Sequence, residues 1–241
     1  MAIFENEYRV GLSDVGHSNE ITNKAILRIL ENVAGMHSES VGWGLNSIER
    51  TNKSWILLGW KVQIISRPIY NEKLIVKTWG RDFNRAVTYR DFEVFDEKEN
   101  LVIKATSKWT MIDIRTSKLV ELTPEITRPY ECEKNKIFEQ GFDFKIKEPM
   151  EKKSFINYKV MRRDIDINKH VHNLYYLDFA YEALPENVYN TNKFNNVEIM
   201  YKRQIKLDDN IICYYTQNEN ENIVTIKSED DKTLHAIIKL Y

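Results

Sequence analysis

Tyr158-Lys159-Val160-Met161-Arg162-Arg163-Asp164 returns, at the same internal spacing, to a pattern the chain already carries at Tyr8-Arg9-Val10-Gly11-Leu12-Ser13-Asp14. Two further echoes follow in the same order. Trp60-Lys61-Val62-Gln63-Ile64 is matched by Tyr201-Lys202-Arg203-Gln204-Ile205, and Lys104-Ala105 with Lys108 by His235-Ala236 with Lys239. The offset falls from 150 to 141 to 131 residues, as expected of a duplicated unit whose second copy has shorter loops. A chain of 241 residues is long enough to hold two such units.

Working outward from the repeat, each half reads as one helix followed by four strands. Ala25, Ile26, Ile29, Leu30, Val33, Ala34 and Val41 form a helical stripe, with Ser18 or Asn19 available as N-cap and Gly42 and Gly44 to end it. In the second half Tyr176, Phe179, Ala180, Ala183 and Leu184 form the stripe, with Asn173 as expected cap and Pro185 as stop. Runs rich in β-branched and aromatic residues follow each helix. They lie at Trp55–Ile65, Leu74–Trp79, Ala86–Phe95 and Leu101–Ile114, then at Val197–Leu207, Asn210–Thr216, Asn222–Lys227 and Thr233–Leu240. Residues 1–128 are expected to form the first unit and 154–241 the second, with the charged, proline-bearing stretch 129–153 as linker. An antiparallel sheet must bury its apolar face, and the helix is the element at hand. The expected fold is therefore α+β, a double hotdog: two tandem copies of a sheet wrapped around a central helix.

Composition narrows the function. Lys+Arg number 35 and Asp+Glu 36, so the basic excess of a dedicated nucleic-acid binder is lacking. Hydrophobic residues at 42% suffice for a packed core and rule out wholesale disorder. Cys132 and Cys213 form no CxxC pair and fit a reducing compartment. The N-terminal residues lack the basic and apolar regions of a signal peptide, and the greasiest run, Trp55–Trp60, is far short of a bilayer span. A soluble cytoplasmic protein without membrane or nucleic-acid partners is expected. With eight glycines, the phosphate-cradling GxxxxGK[ST] and GxGxxG loops are absent, as are GxSxG and HExxH.

The densest polar cluster is Arg162-Arg163-Asp164-Ile165-Asp166-Ile167-Asn168-Lys169-His170-Val171-His172-Asn173, just ahead of the second helix. If its backbone is extended, Asp166, Asn168 and His170 share one side. A carboxylate, an amide and an imidazole near a helix N-terminus suit hydrolysis of an activated acyl group: oxyanion donors beside a group that orients or deprotonates water. The first copy is an internal control. Aligning Asp14 with Asp164 puts Gly16, Ser18 and Glu20 at the three positions, so only the second copy is armed. His170 and His172 could share a face as metal ligands, but a third ligand is lacking, and neither metal nor cofactor is expected. Glu31 and His37 fall on the polar side of the first helix, His17 and His235 have no evident partners, and the five tryptophans read as core or pocket wall. Arg162, Arg163, Lys169, Lys202 and Arg203 gather around the cluster and would steer an acidic partner.

Over nearly its whole length the chain resembles the acyl-acyl carrier protein (acyl-ACP) thioesterases. The resemblance rests on Trp55-Ile56-Leu57, Arg90-Asp91-Phe92-Glu93, Ala105-Thr106-Ser107-Lys108-Trp109, Asp166-x-Asn168-x-His170-Val171-x-Asn173-x-x-Tyr176 and Glu182. It implies a double hotdog that releases fatty acid from the phosphopantetheine arm of the carrier protein. It further implies catalytic Asp166, Asn168 and His170 in the second copy, and a first copy that helps form the acyl tunnel. The family often carries Glu, followed in plants by Cys, where this chain has Gln204 and Ile205. Gln204 can orient water but cannot take its proton, so the base is Asp166 or His170. An acyl-CoA substrate, dehydration of a hydroxyacyl chain and non-catalytic acyl binding are the alternatives. The oligomeric state, including a homodimer, is left open.

Overall fold

The computed structural model describes residues 2–138, 144–191 and 193–241. The chain divides into two compact units, Met1–Phe142 and Asp143–Tyr241.

The first unit begins with β1 (Ile3–Arg9), whose residues alternate between exposed and half-buried. Helix α1 (Asn23–Ser40) follows, then the short α2 (Ile48–Thr51), β2 (Lys53–Ile64), β3 (Lys73–Asn84), β4 (Val87–Phe95), β5 (Leu101–Asp113), the two-residue β6 (Lys118–Leu119) and α3 (Pro124–Thr127). Its strands run antiparallel in the order β1-β3-β4-β5-β2, with β6 on β5. Helix α1 lies against β1 and β3. Ala25, Ile26, Ile29, Leu30 and Val33 of its stripe are buried. Each Ile or Leu so placed contributes about 1.5–3 kcal/mol. Thr22 caps the helix by accepting from Ala25 N at 3.2 Å, in place of the expected Ser18 or Asn19, which lie in the preceding hairpin. Gly42 at φ 80° ends it in the left-handed region open to glycine.

The second unit has β7 (Ser154–Lys159), α4 (Tyr175–Glu182), α5 (Glu186–Thr191), β8 (Asn196–Tyr201), β9 (Asn210–Asn218), β10 (Glu221–Ser228) and β11 (Leu234–Leu240). The order is β8-β11-β10-β9-β7, again antiparallel, with α4 against β10 and β11. Pro185 separates α4 from α5. The helix position expected of Asn173 as cap is taken by Leu174, without a side-chain cap. The α+β hotdog architecture is therefore present in each unit. Both units add a strand ahead of the helix, β1 and β7, that the helix-plus-four-strands layout lacks. The expected strand Val197–Leu207 stops at Tyr201.

The repeat has a physical basis at its first echo. Tyr8 donates its hydroxyl to Asp14 Oδ2 at 2.8 Å, as does the Gly11 N–H at 2.8 Å. Tyr158 and the Met161 N–H make the same two bonds to Asp164, both at 2.8 Å. Both carboxylates are buried. The other two echoes are out of register. Ile65 and Ser66 N–H groups bond Val102 O in the first unit, and Lys202 and Arg203 N–H groups bond His235 O in the second. Ile21 N bonds Pro68 O just as Val171 N bonds Ile205 O. These matches place Gln204 opposite Arg67, not Gln63.

His37 departs from the expected polar helix face. It is fully buried, stacked on Phe4 with ring centroids 5.4 Å apart, and 2.8 Å from Arg90 Nη1 through Nδ1. Because a guanidinium only donates, Nδ1 accepts. Arg90 also donates to Thr78 Oγ1 at 3.2 Å, and burial pulls its pKa below the usual guanidinium range. Within the expected linker, Glu133 N bonds Gly80 O at 2.9 Å and Ile137 N bonds Asp91 Oδ2 at 3.0 Å, so this stretch lies on the first unit. Lys153 N bonds Tyr215 O at 2.9 Å in the second. Linker residues 139–143 lie outside the described residues.

Candidate active site

Asp166 opens a tight hairpin. Its N–H donates to His170 O at 2.8 Å, and its carbonyl accepts from Lys169 N at 3.0 Å. Ile165 pairs with Val171 on the flanks, and Lys169 sits at φ 63°. The expected extended backbone with alternating faces is thus replaced by a turn. Asp166 Oδ1 accepts from Asn168 N at 2.8 Å and His170 N at 3.3 Å, while Asn168 Nδ2 donates to Asp166 Oδ2 at 3.4 Å. The carboxylate therefore holds the loop with one oxygen and the amide with the other. Asn168 is exposed and His170 half-buried.

The first unit shows that the carboxylate is not needed to make this turn. There Gly16 N bonds Glu20 O at 2.9 Å, Asn19 N bonds Gly16 O at 3.0 Å, and Asn19 adopts φ 61°. Val15 pairs with Ile21. The hairpin is the same, and a glycine stands in the place of Asp166.

The fourth expected residue reaches the hairpin through backbone bonds. Val171 N donates to Ile205 O at 2.9 Å, and His170 pairs with Lys206, so the segment bearing Gln204 runs beside the loop. The Gln204 side chain is exposed. His235 fixes this segment: its Nδ1–H donates to Arg203 O at 3.1 Å, since a carbonyl can only accept. Beneath it, buried Tyr176 approaches Arg203 O at 3.5 Å and packs edge-on against Tyr201 at 5.3 Å. Burial pushes the Tyr176 pKa up; the Ile205 backbone works against this, and negative charge at Asp166 and Asp209 reinforces it.

The N–H groups of Leu174 and Tyr175 at the helix start are not free for an oxyanion as the sequence suggests. Leu174 N donates to His172 Nδ1 at 3.2 Å and Tyr175 N to His172 O at 2.9 Å. His172 is thereby a capping group, its accepting Nδ1 placing the neutral ring's proton on Nε2. Cys213 is buried and its thiol pushed up to about 12 by burial, which unfits it as a nucleophile. His235 and Tyr176 escape sequence reasoning as site supports. Tyr176 stood in the helical stripe and the family pattern without a site role, and no spacing signal connects His235 to Arg203. What the hairpin offers chemically is an amide donor held by a carboxylate, with an imidazole two residues on.

Comparison with known proteins places these features in context. The model described as "Acyl-ACP thioesterase N-terminal domain" matches residues 1–130, and that described as "Acyl-ACP thioesterase C-terminal domain" matches residues 147–239. The chain is 26% identical over 240 residues to oleoyl-acyl carrier protein thioesterase 2, chloroplastic, of Arabidopsis thaliana, covering 93% of this chain and 65% of that one. It thus spans about two-thirds of that relative's length. Among solved structures it is similar to an acyl-ACP thioesterase from Bacteroides thetaiotaomicron, with TM-score 0.86, 24% identity, and coverage of 99% and 96% of the two chains. A 12:0-ACP thioesterase from Umbellularia californica gives 0.84 at 17% identity, again covering 99% and 96%. At these identities the structures speak to the fold alone.

Proposed function

Because this chain belongs to the acyl-ACP thioesterase family, we propose that it hydrolyses the thioester of a fatty acyl chain carried on the phosphopantetheine arm of an acyl carrier protein, releasing free fatty acid and the carrier thiol. The observation that carries this reading is the contrast between the two hairpins: one geometry, with Asp166, Asn168 and His170 in one copy and Gly16, Ser18 and Glu20 in the other. The same turn forms around Gly16 without a carboxylate, which supports a chemical role for Asp166.

In the proposed reaction His170 takes a proton from water as the oxygen attacks the thioester carbonyl. Asp166 is the weaker candidate for base, because Oδ1 already accepts two backbone N–H bonds and Oδ2 holds the Asn168 amide. Asn168 Nδ2 donates to the developing oxyanion. Collapse of the tetrahedral intermediate breaks the C–S bond, and the proton on His170 passes to the departing thiolate. Gln204 positions water through its amide. The first unit contributes acyl-binding surface in this reading. A reducing, cytoplasmic setting is supported by two free cysteines among the described residues. No helix among those residues is long and apolar enough to cross a membrane.

Thiol release from acyl-ACP and acyl-CoA of several chain lengths tests the reading. Asn168→Ala and His170→Ala should each lower turnover about a hundredfold or more, with circular dichroism unchanged. Release from neither substrate by the unaltered protein would favour an acyl-binding module, and release from CoA alone would move the substrate class.

A further inference from the structure

We propose that His235 is a positioning residue for the reaction: its ring anchors the Arg203 carbonyl and so keeps the Gln204 segment against the Asp166–His170 hairpin. The inference rests on the hydrolase reading above and adds to it a residue of β11, outside the hairpin.

The duplicated architecture isolates what the ring contributes. In the second unit β8 ends at Tyr201, and the Lys202 and Arg203 N–H groups bond His235 O at 2.8 and 3.3 Å. In the first unit β2 ends at Ile64, and the Ile65 and Ser66 N–H groups bond Val102 O at 2.8 and 3.1 Å. Val102 and His235 thus occupy one place in the repeat, and they are equally buried, at 5% and 6% exposure. A valine suffices for this exit from the sheet. The imidazole adds the bond from Nδ1–H to Arg203 O at 3.1 Å. The helix supplies a second difference of the same kind. Tyr176 stands where the first unit has Ile26, both are buried, and the Tyr176 hydroxyl approaches the same carbonyl at 3.5 Å. Two polar side chains therefore converge on one backbone oxygen in the armed unit, where the other unit has aliphatic ones.

The first unit also shows why the second needs this anchor. There the position matched to Gln204 is Arg67, whose guanidinium bonds Ile21 O at 2.9 Å and Asn23 Oδ1 at 2.8 Å. That segment is tied to its hairpin and helix start by its own side chain. Gln204 is exposed and makes no side-chain hydrogen bond among the described residues. An amide that is to hold water cannot also serve as the tether. In the second unit the tether has moved to the carbonyl of the preceding residue, with His235 as donor. The placement is then passed on, since Ile205 O accepts from Val171 N at 2.9 Å and Lys206 pairs with His170.

Three variants at one position separate the bond from the bulk. His235→Val installs the first unit's residue. It should lower kcat on an acyl carrier protein thioester about tenfold or more and leave KM within about twofold, because misplaced reacting groups cost turnover rather than binding. His235→Asn keeps a side-chain N–H near the place of Nδ1 and should restore kcat to within about threefold of the parent. His235→Gln, whose amide lies one carbon further out, should not. Unchanged kcat in His235→Val overturns the proposal. So does a loss as deep in His235→Asn as in His235→Val, which would make the ring a packing group, and so does a loss confined to KM. Should His235→Val fail to fold, the Asn and Gln variants decide, and equal rates in the two overturn it. If the unaltered protein releases thiol from neither acyl carrier protein nor CoA thioesters, the hydrolase reading falls and this role with it. Full activity in the unaltered protein and in all three variants removes the role alone.

Discussion

At the scale of single residues, the informative comparison is Asp166 with Gly16. Both begin a hairpin closed by the same backbone bonds, yet only Asp166 brings oxygens that hold Asn168 and His170 N–H groups. Asp166→Gly should therefore leave the fold intact at a cost of about 1 kcal/mol, from lost bonds and added backbone freedom. Turnover should fall about a hundredfold, because Asn168 loses the carboxylate that aims its amide. Melting and thiol-release assays on the same preparation check both halves; a variant that unfolds would return Asp166 to a structural role. The residues of this site were legible as a set, because an acid, an amide and an imidazole at alternate positions are visible in any listing of the chain. Their geometry was not. Strand alternation and a turn can put the same three side chains on one side; the φ of 63° at Lys169 and the closing bond from Asp166 N to His170 O tell them apart.

Among the elements, the Tyr-to-Asp clamp explains why the first echo was a true one. A buried carboxylate must be satisfied locally, so the hydroxyl of Tyr8 or Tyr158 and one backbone N–H recur at fixed spacing. Burial and the neighbouring carboxylate hold both phenols above their ordinary pKa, so each donates. The third partner differs: Arg28 of α1 bonds Asp14, whereas Arg163 of the turn itself faces Asp164. Asp164→Ala should cost about 2 kcal/mol of stability, the price of an orphaned N–H and hydroxyl. Because Asp164 O also accepts from His172 N at 2.9 Å, any shift of this turn reaches the Asp166–His170 hairpin and should lower turnover as well. Asp14→Ala should cost as much stability with little effect on turnover, and denaturant melts paired with rates distinguish the two. The second echo is false for a physical reason too: Trp60–Ile64 lies within β2, whereas Lys202–Ile205 follows the end of β8 at Tyr201, so the same residue types sit in different backbone settings. Strands β1 and β7 escaped because edge strands keep polar residues on their open face, as Glu5, Glu7 and Arg9 do.

For the whole molecule, the two units share one hairpin and differ in the polar groups it carries. The order of five strands, the clamp and the hairpin recur in both units. The carboxylate, the amide and the imidazole of the hairpin occur in the second alone. This division predicts the result of moving the chemistry. Gly16→Asp, Ser18→Asn and Glu20→His would rebuild the triple on the first hairpin. A Cβ at position 16 would meet Thr22 Cγ2 at 3.6 Å, an ordinary contact, so the graft should fold with a melting temperature within a few degrees of the parent. Placed in an Asp166→Gly background, it should nonetheless leave hydrolysis of the carrier-linked thioester below about one per cent of normal, the loss expected when catalytic and oxyanion groups are absent. The position matched to Gln204 holds Arg67, whose guanidinium is already bonded to Ile21 O and Asn23 Oδ1. Recovery to within tenfold of the parent rate would show that three side chains on a hairpin suffice, and would remove the segment around Gln204 from the mechanism.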